Sequence, residues 1–98
     1  MSMTDAELAR EVAVKVMGYD PNGFTTHFEP MAVCWADAGR VIERMKERGW
    51  GFDFATWEVD EFHAVFYEGV TGPRDASADT GPRAVFMAAL RAVEGSNV

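Results

Sequence analysis

One cysteine, two histidines and four prolines in 98 residues leave little covalent or metal chemistry to build with. A single cysteine excludes an internal disulfide and fits a reducing compartment. Cys34, His27 and His63 match no zinc spacing, and Cys34, beside Trp35 in an apolar stretch, reads as a buried, inert thiol. No apolar run approaches the ~20 residues of a membrane-spanning helix. Met1-Ser-Met-Thr-Asp5 shows neither the basic nor the apolar segment of a signal peptide, so a soluble, cytoplasmic protein is expected. Bases are scarce: nine Lys and Arg against sixteen Asp and Glu give a net charge of −7. That deficit argues against general nucleic-acid binding, which rests on phosphate neutralisation. It permits a basic protein partner, or one small anionic ligand in a local site. Walker and dinucleotide glycine patterns are missing, and no cofactor is expected.

Aromatic residues are plentiful, and seven of the twelve fall between Trp50 and Glu68. Trp50, Phe52 and Phe54 alternate with Gly51, Asp53 and Ala55. Phe62, Ala64 and Phe66 alternate with His63, Val65 and Tyr67. This is the period of two strands, each with one buried face. Glu58-Val-Asp-Glu61 between them lacks a two-residue turn signal, so a loop of three to five residues is expected. In the simplest register Trp57, Val65 and Tyr67 point away from Phe54 and Phe66. The expectation is that helices cover both faces; the alternative is a binding or self-association face.

Helices flank this hairpin. Thr4-Asp-Ala-Glu7 is a capping box, and Leu8, Val12 and Val16 with Ala9 and Ala13 give a helix from about Asp5 to Met17, stopped by Gly18. A second helix runs from about Ala32 to Arg48 and closes at Gly49, with Ala38, Val41, Ile42 and Met45 as its buried stripe. Gly39 inside it costs about 1 kcal/mol relative to Ala, which predicts a close neighbour there. Arg40, Arg44 and Arg48 read as a solvated face with intrahelical ion pairs; an anion site is the less favoured reading. Asp79 or Thr80 caps a third helix, with Pro82 in its first turn, a stripe of Phe86, Ala89, Leu90 and Val93, and Gly95 at its end. Gly69 to Ala78 reads as a surface loop, and Phe24 to Phe28 as a candidate short third strand. Repeats and linkers are missing, so residues 1–98 form a single domain. The fold class is α+β: three helices packed on a small antiparallel sheet centred on a β-hairpin at about residues 50–68, an α/β sandwich.

The local candidate for chemistry is Asp79-Thr-Gly-Pro-Arg83. A helix N-terminus offers free amides and a positive dipole end. Thr80 and Arg83 add a hydroxyl and a guanidinium suited to phosphate or carboxylate. Capping alone also accounts for Asp79, Thr80 and Pro82. The carboxylates Glu58, Asp60 and Glu61 at the turn read as solvated.

Three stretches resemble the phage-encoded "ABA sandwich" domain family: Glu11-Val-Ala-Val-Lys-Val-Met-Gly18, Val41-Ile-Glu-Arg-Met-Lys-Glu-Arg-Gly-Trp50, and Ala78-Asp-Thr-Gly-Pro-Arg-Ala-Val-Phe-Met-Ala-Ala-Leu90. They cover about a third of the chain. Ala32-Val-Cys34 and Gly39 depart from the family's second helix. The resemblance implies an α/β sandwich in a small phage or prophage accessory protein without enzymatic activity, acting in a bacterial host. Such proteins often counter host defence. The functional expectation is therefore a protein that sequesters a nucleotide-derived signal. Trp57 or Tyr67 would stack the base, Arg83 and the helix amides would hold phosphate, and Asp79, Thr80 and His63 complete the candidate ligand-binding set. A site of that size would lie between protomers of a homo-oligomer. The alternative is an acidic protein-interaction module that blocks a host protein.

Overall fold

Local signals close each helix in the computed structural model, which describes residues 4–19, 31–58, 61–68 and 72–95. Helix α1, Asp5–Lys15, opens on the capping box: Thr4 accepts from the Glu7 N–H, and the Glu7 carboxylate receives the Thr4 N–H. Gly18, at φ +79°, turns the chain after it. Helix α2, Trp35–Glu47, ends in a Schellman motif. Gly49 takes φ +95°, its N–H donates to Lys46, and the Trp50 N–H donates to Met45. The α2 start lies three residues beyond the expected Ala32. The Asp37 carboxylate reaches back to the Ala32 N–H at 2.8 Å, which draws the preceding turn out of the helix. Cys34 stands at the N-cap and is half-buried rather than buried.

Strands β1, Gly51–Glu58, and β2, Glu61–Glu68, form the expected hairpin. They close on a Glu58–Glu61 pair, so the connection is two residues, shorter than expected. The register shifts between Thr56 and Glu58, where β1 advances two residues against one on β2. The segment read as a loop contains strand β3, Gly72–Ala78, antiparallel to β2. The sheet order is β1-β2-β3. The candidate strand at Phe24–Phe28 lies outside the described residues.

Three helices pack on this antiparallel sheet, the α+β architecture expected. Helix α3, Gly81–Gly95, is the middle layer: it lies on β2 and β3 and carries α1 and α2 on its other sides. Ala84, Val85, Ala88 and Ala92 are therefore buried along with the expected Phe86, Ala89, Leu90 and Val93. Its apolar surface extends well beyond one stripe, as a helix packed on several sides requires, while Arg91 and Glu94 keep one side exposed. Ala64 and Ala76, paired across β2 and β3, are both buried, and their small side chains admit α3 closely. Leu8, Val12, Val41 and Met45 complete the core from α1 and α2. Gly39 meets no neighbour: a Cβ there would touch nothing within 4 Å, contrary to the close contact expected.

Among the described residues the sheet is covered on one face. Phe52, Phe54, Phe62 and Phe66 face the helices. On the other face Asp53, Ala55, Tyr67, Asp75 and Ser77 are exposed, while Val65 and His63 are half-buried. Val65 is not part of the packed core. The expected second layer of helices is missing among the described residues, because α1 and α2 pack on α3, which itself lies on the phenylalanine face.

Candidate functional site

Two groups of side chains carry the chemistry, at different places on the sheet. The first surrounds the start of α3. The Thr80 Oγ1 accepts from the Arg83 N–H at 3.4 Å, and the Thr80 carbonyl accepts from Ala84 at 3.1 Å. Asp79, Thr80 and Arg83 thus come together, as expected, at a depression of about 490 Å³ that Asp5, Ser77 and Met87 also line. The Arg83 side chain is 16% exposed, and its guanidinium pairs with the Asp5 carboxylate from the start of α1. Two carboxylates against one guanidinium make this depression acidic. On the other side of the helix start the Trp35 ring, 57% exposed, rests on Gly81 and meets Phe54 edge-on at 5.7 Å.

The second group lies on the open sheet face. The register sets Asp53, Val65 and Asp75 in one row across β1, β2 and β3. Ala55, His63 and Ser77 form the next row, and Gly51, Tyr67 and Pro73 the row on the other side. His63 Nε2 and Asp75 Oδ2 stand 2.9 Å apart, a diagonal cross-strand contact. The imidazole hydrogen bond holds the Asp75 carboxyl below the usual carboxylate range. Tyr67, 48% exposed, lays its ring over Gly51 on the neighbouring strand. A shallower depression of about 260 Å³ is lined by Asp53, Phe54, Ala55, His63 and Val65.

Tyr67 is five residues along β2 from Phe62, the partner of Ala78, so roughly 16 Å of strand separates it from the α3 start. The structure therefore gathers Asp79, Thr80 and Arg83, and sets His63 and Tyr67 apart from them. The Trp57 side chain lies outside the described residues. No family model, curated protein or solved structure matches the chain. The resemblance to the ABA sandwich family rests on its three stretches of sequence.

Four other cations serve the scaffold. Arg40 pairs with Asp37, and Arg44 with Glu47, the intrahelical pairs expected of that face. Arg48 donates to the Lys15 and Val16 carbonyls at the end of α1. Lys15 bridges Glu11 and Glu94, whose hydrogen bonds raise its pKa above the usual lysine value. Among the described residues no cluster of His, Cys, Asp or Glu is suited to a metal ion, and no helix is long and apolar enough to cross a membrane. Sequence reasoning did not single out Asp5, Asp53, Asp75 or Trp35. Asp5 and Trp35 meet their partners through long-range packing, Asp53 and Asp75 join one row only through strand register, and the run that holds Asp75 carries little strand signal.

Proposed function

We propose that this protein is a non-enzymatic interaction module that occupies a basic protein partner. One observation carries the reading: among the described residues the outer sheet face is uncovered. It presents Tyr67 and Val65 beside Asp53 and Asp75, and no Lys or Arg falls in its three rows. An exposed tyrosine ring is of the residue type enriched at protein interfaces, and here it stands on a face flanked by carboxylates. The net charge of −7 steers a basic partner toward it. In the setting that the resemblance implies, the partner is a host protein and blocking it counters defence. The test is capture from bacterial lysate on the immobilised protein. A specific basic partner is expected at about 50 mM salt, with most of it released at about 500 mM, where charges are screened beyond a few ångströms. Recovery of no specific protein at either salt would sink the reading.

A second reading, sequestration of a nucleotide-derived signal, draws on the depression at Asp79, Thr80 and Arg83. It has less support, because Asp5 already engages the guanidinium that phosphate would need. Thermal shift against cyclic dinucleotides, cyclic ADP-ribose-type signals and NAD-derived compounds tests it. A ligand at ~100 Kd adds about 2.7 kcal/mol, so a flat response across the panel would dispose of it.

A further inference from the structure

We infer that the open sheet face is a cradle for one basic amphipathic helix of the partner, an inference that rests on the protein-interaction reading. The Asp53–Val65–Asp75 row carries it. Adjacent strands lie about 4.8 Å apart, so the two outer strands of the row are about 10 Å apart. A helix with its side chains is about 10–12 Å across. A helix laid along β2 sets its apolar stripe on the middle strand and one flank beside each carboxylate. The spacings agree along the axis as well. Val65 and Tyr67 are two strand positions apart, about 6.7 Å, while residues i and i+4 of a helix rise about 6 Å. The depression of about 260 Å³ beside Asp53, Ala55, His63 and Val65 receives one long basic side chain from the β1 flank.

The same residues disfavour other occupants. A strand added to a sheet edge needs unengaged backbone groups. Here the Phe54 N–H of β1 donates to the Asp53 carboxylate at 2.9 Å, and the Asp75 carbonyl of β3 accepts from Arg91 at 2.8 Å. A second copy of this chain would bring Asp53 and Asp75 against the same acidic row without a base to meet them.

Amide chemical shifts of the isotopically labelled protein test the cradle. The probe is a synthetic helical peptide of ~18 residues, five turns, with leucines on one stripe and arginines on both flanks. Its controls are the same peptide with glutamate for arginine, and an extended peptide alternating valine and arginine. Saturable shifts centred on Asp53, Val65, Tyr67 and Asp75 are expected with the arginine helix alone. The double variant Asp53→Asn/Asp75→Asn and the single variant Val65→Lys, all at exposed or half-buried positions, should each weaken binding at least tenfold while keeping the wild-type spectrum elsewhere. No saturable shift, shifts centred on the helices, tighter binding of the extended peptide along an edge, or equal binding by the variants would overturn the cradle. So would a wild-type dimer in sedimentation that Val65→Lys renders monomeric, since a second copy would then be the occupant. Lysate capture separates the two levels. A partner held equally by wild type and the double variant leaves the interaction reading standing and removes the cradle. Neither partner nor peptide bound removes both.

Discussion

The indole of Trp35 lies so close over Gly81 that a Cβ built on the glycine would stand 2.3 Å from two of its ring atoms. The contact joins the first residue of α2 to the first residue of α3, and Phe54 of β1 completes it, 3.2 Å from the same built Cβ. Gly81→Ala must push the half-exposed indole aside and forfeit part of its edge-on contact with Phe54. A loss of about 1–2 kcal/mol is expected, from packing and the aromatic pair together. The cause is testable by a double-mutant cycle. In a Trp35→Ala background the alanine meets no indole and only the 3.2 Å approach of Phe54 remains, so the loss from Gly81→Ala should shrink to a small fraction of its value beside Trp35. Equal losses in both backgrounds, read from urea unfolding, would refute the steric account.

Gly39 shows the opposite situation. It lies exposed in the middle of α2, with nothing within 4 Å of a built Cβ and no positive φ. Gly39→Ala should therefore stabilise the protein by about 0.5–1 kcal/mol, by helix propensity and reduced freedom of the unfolded chain. For a domain near this size that raises Tm by roughly 2–8 °C. An unchanged or lower Tm would mean that the position is occupied in a way the open surface does not show.

Asp37 links the start of α2 to pH. Its side chain is 18% exposed, and its carboxylate receives the Ala32 N–H at 2.8 Å and the Arg40 guanidinium at 3.1 Å. The Ala32 bond above all, then Arg40 and the Cys34 thiol, hold its pKa below the usual Asp value. A depressed folded pKa contributes stability above the unfolded value of about 3.9 and loses it as pH falls through the folded value. Asp37→Ala should cost about 1 kcal/mol at pH 7, the size of a lost cap. The gap to wild type should close as pH falls below about 4. Unfolding midpoints from neutral to acid pH give the check; a gap that stays constant would show that Asp37 does not titrate with folding.

What was legible in the sequence was local. Thr4 and Glu7 are three residues apart, Gly49 directly follows the Arg48 cap of α2, and Asp79, Thr80 and Arg83 fall within five residues. Each could be placed without knowing the tertiary structure. Strand β3 could not. Gly72-Pro-Arg-Asp-Ala-Ser-Ala78 holds no aromatic or β-branched residue. It is a strand because β2 pairs with it and Ala76 fits beneath α3, a case of context overriding propensity. Losing β3 also meant losing Asp75, and with it the row through Val65 to Asp53. Such a row exists only once both registers are set, since a slip of one residue in any strand would send that strand's member of the row to the phenylalanine face. Asp5 and Arg83, 78 residues apart, meet only because α1 packs on α3.

That ion pair separates the two functional readings. Arg83 is mostly buried, but Asp5 is 67% exposed, so water screens the pair and its loss should cost no more than about 1 kcal/mol. In Arg83→Ala the depression at the α3 start keeps Asp5 and Asp79 and loses its guanidinium, so a bound phosphate would face two carboxylates alone. If the protein works through its open sheet face, Arg83→Ala should retain the captured protein partner at wild-type strength, because Arg83 is not among the outer-face residues. If it works by capturing a nucleotide-derived signal, the same variant should lose the thermal shift given by that ligand. Running partner capture and thermal shift on one preparation of wild type and variant puts both outcomes in a single comparison. Loss of partner capture in a folded Arg83→Ala variant would move the interface from the sheet to the start of α3.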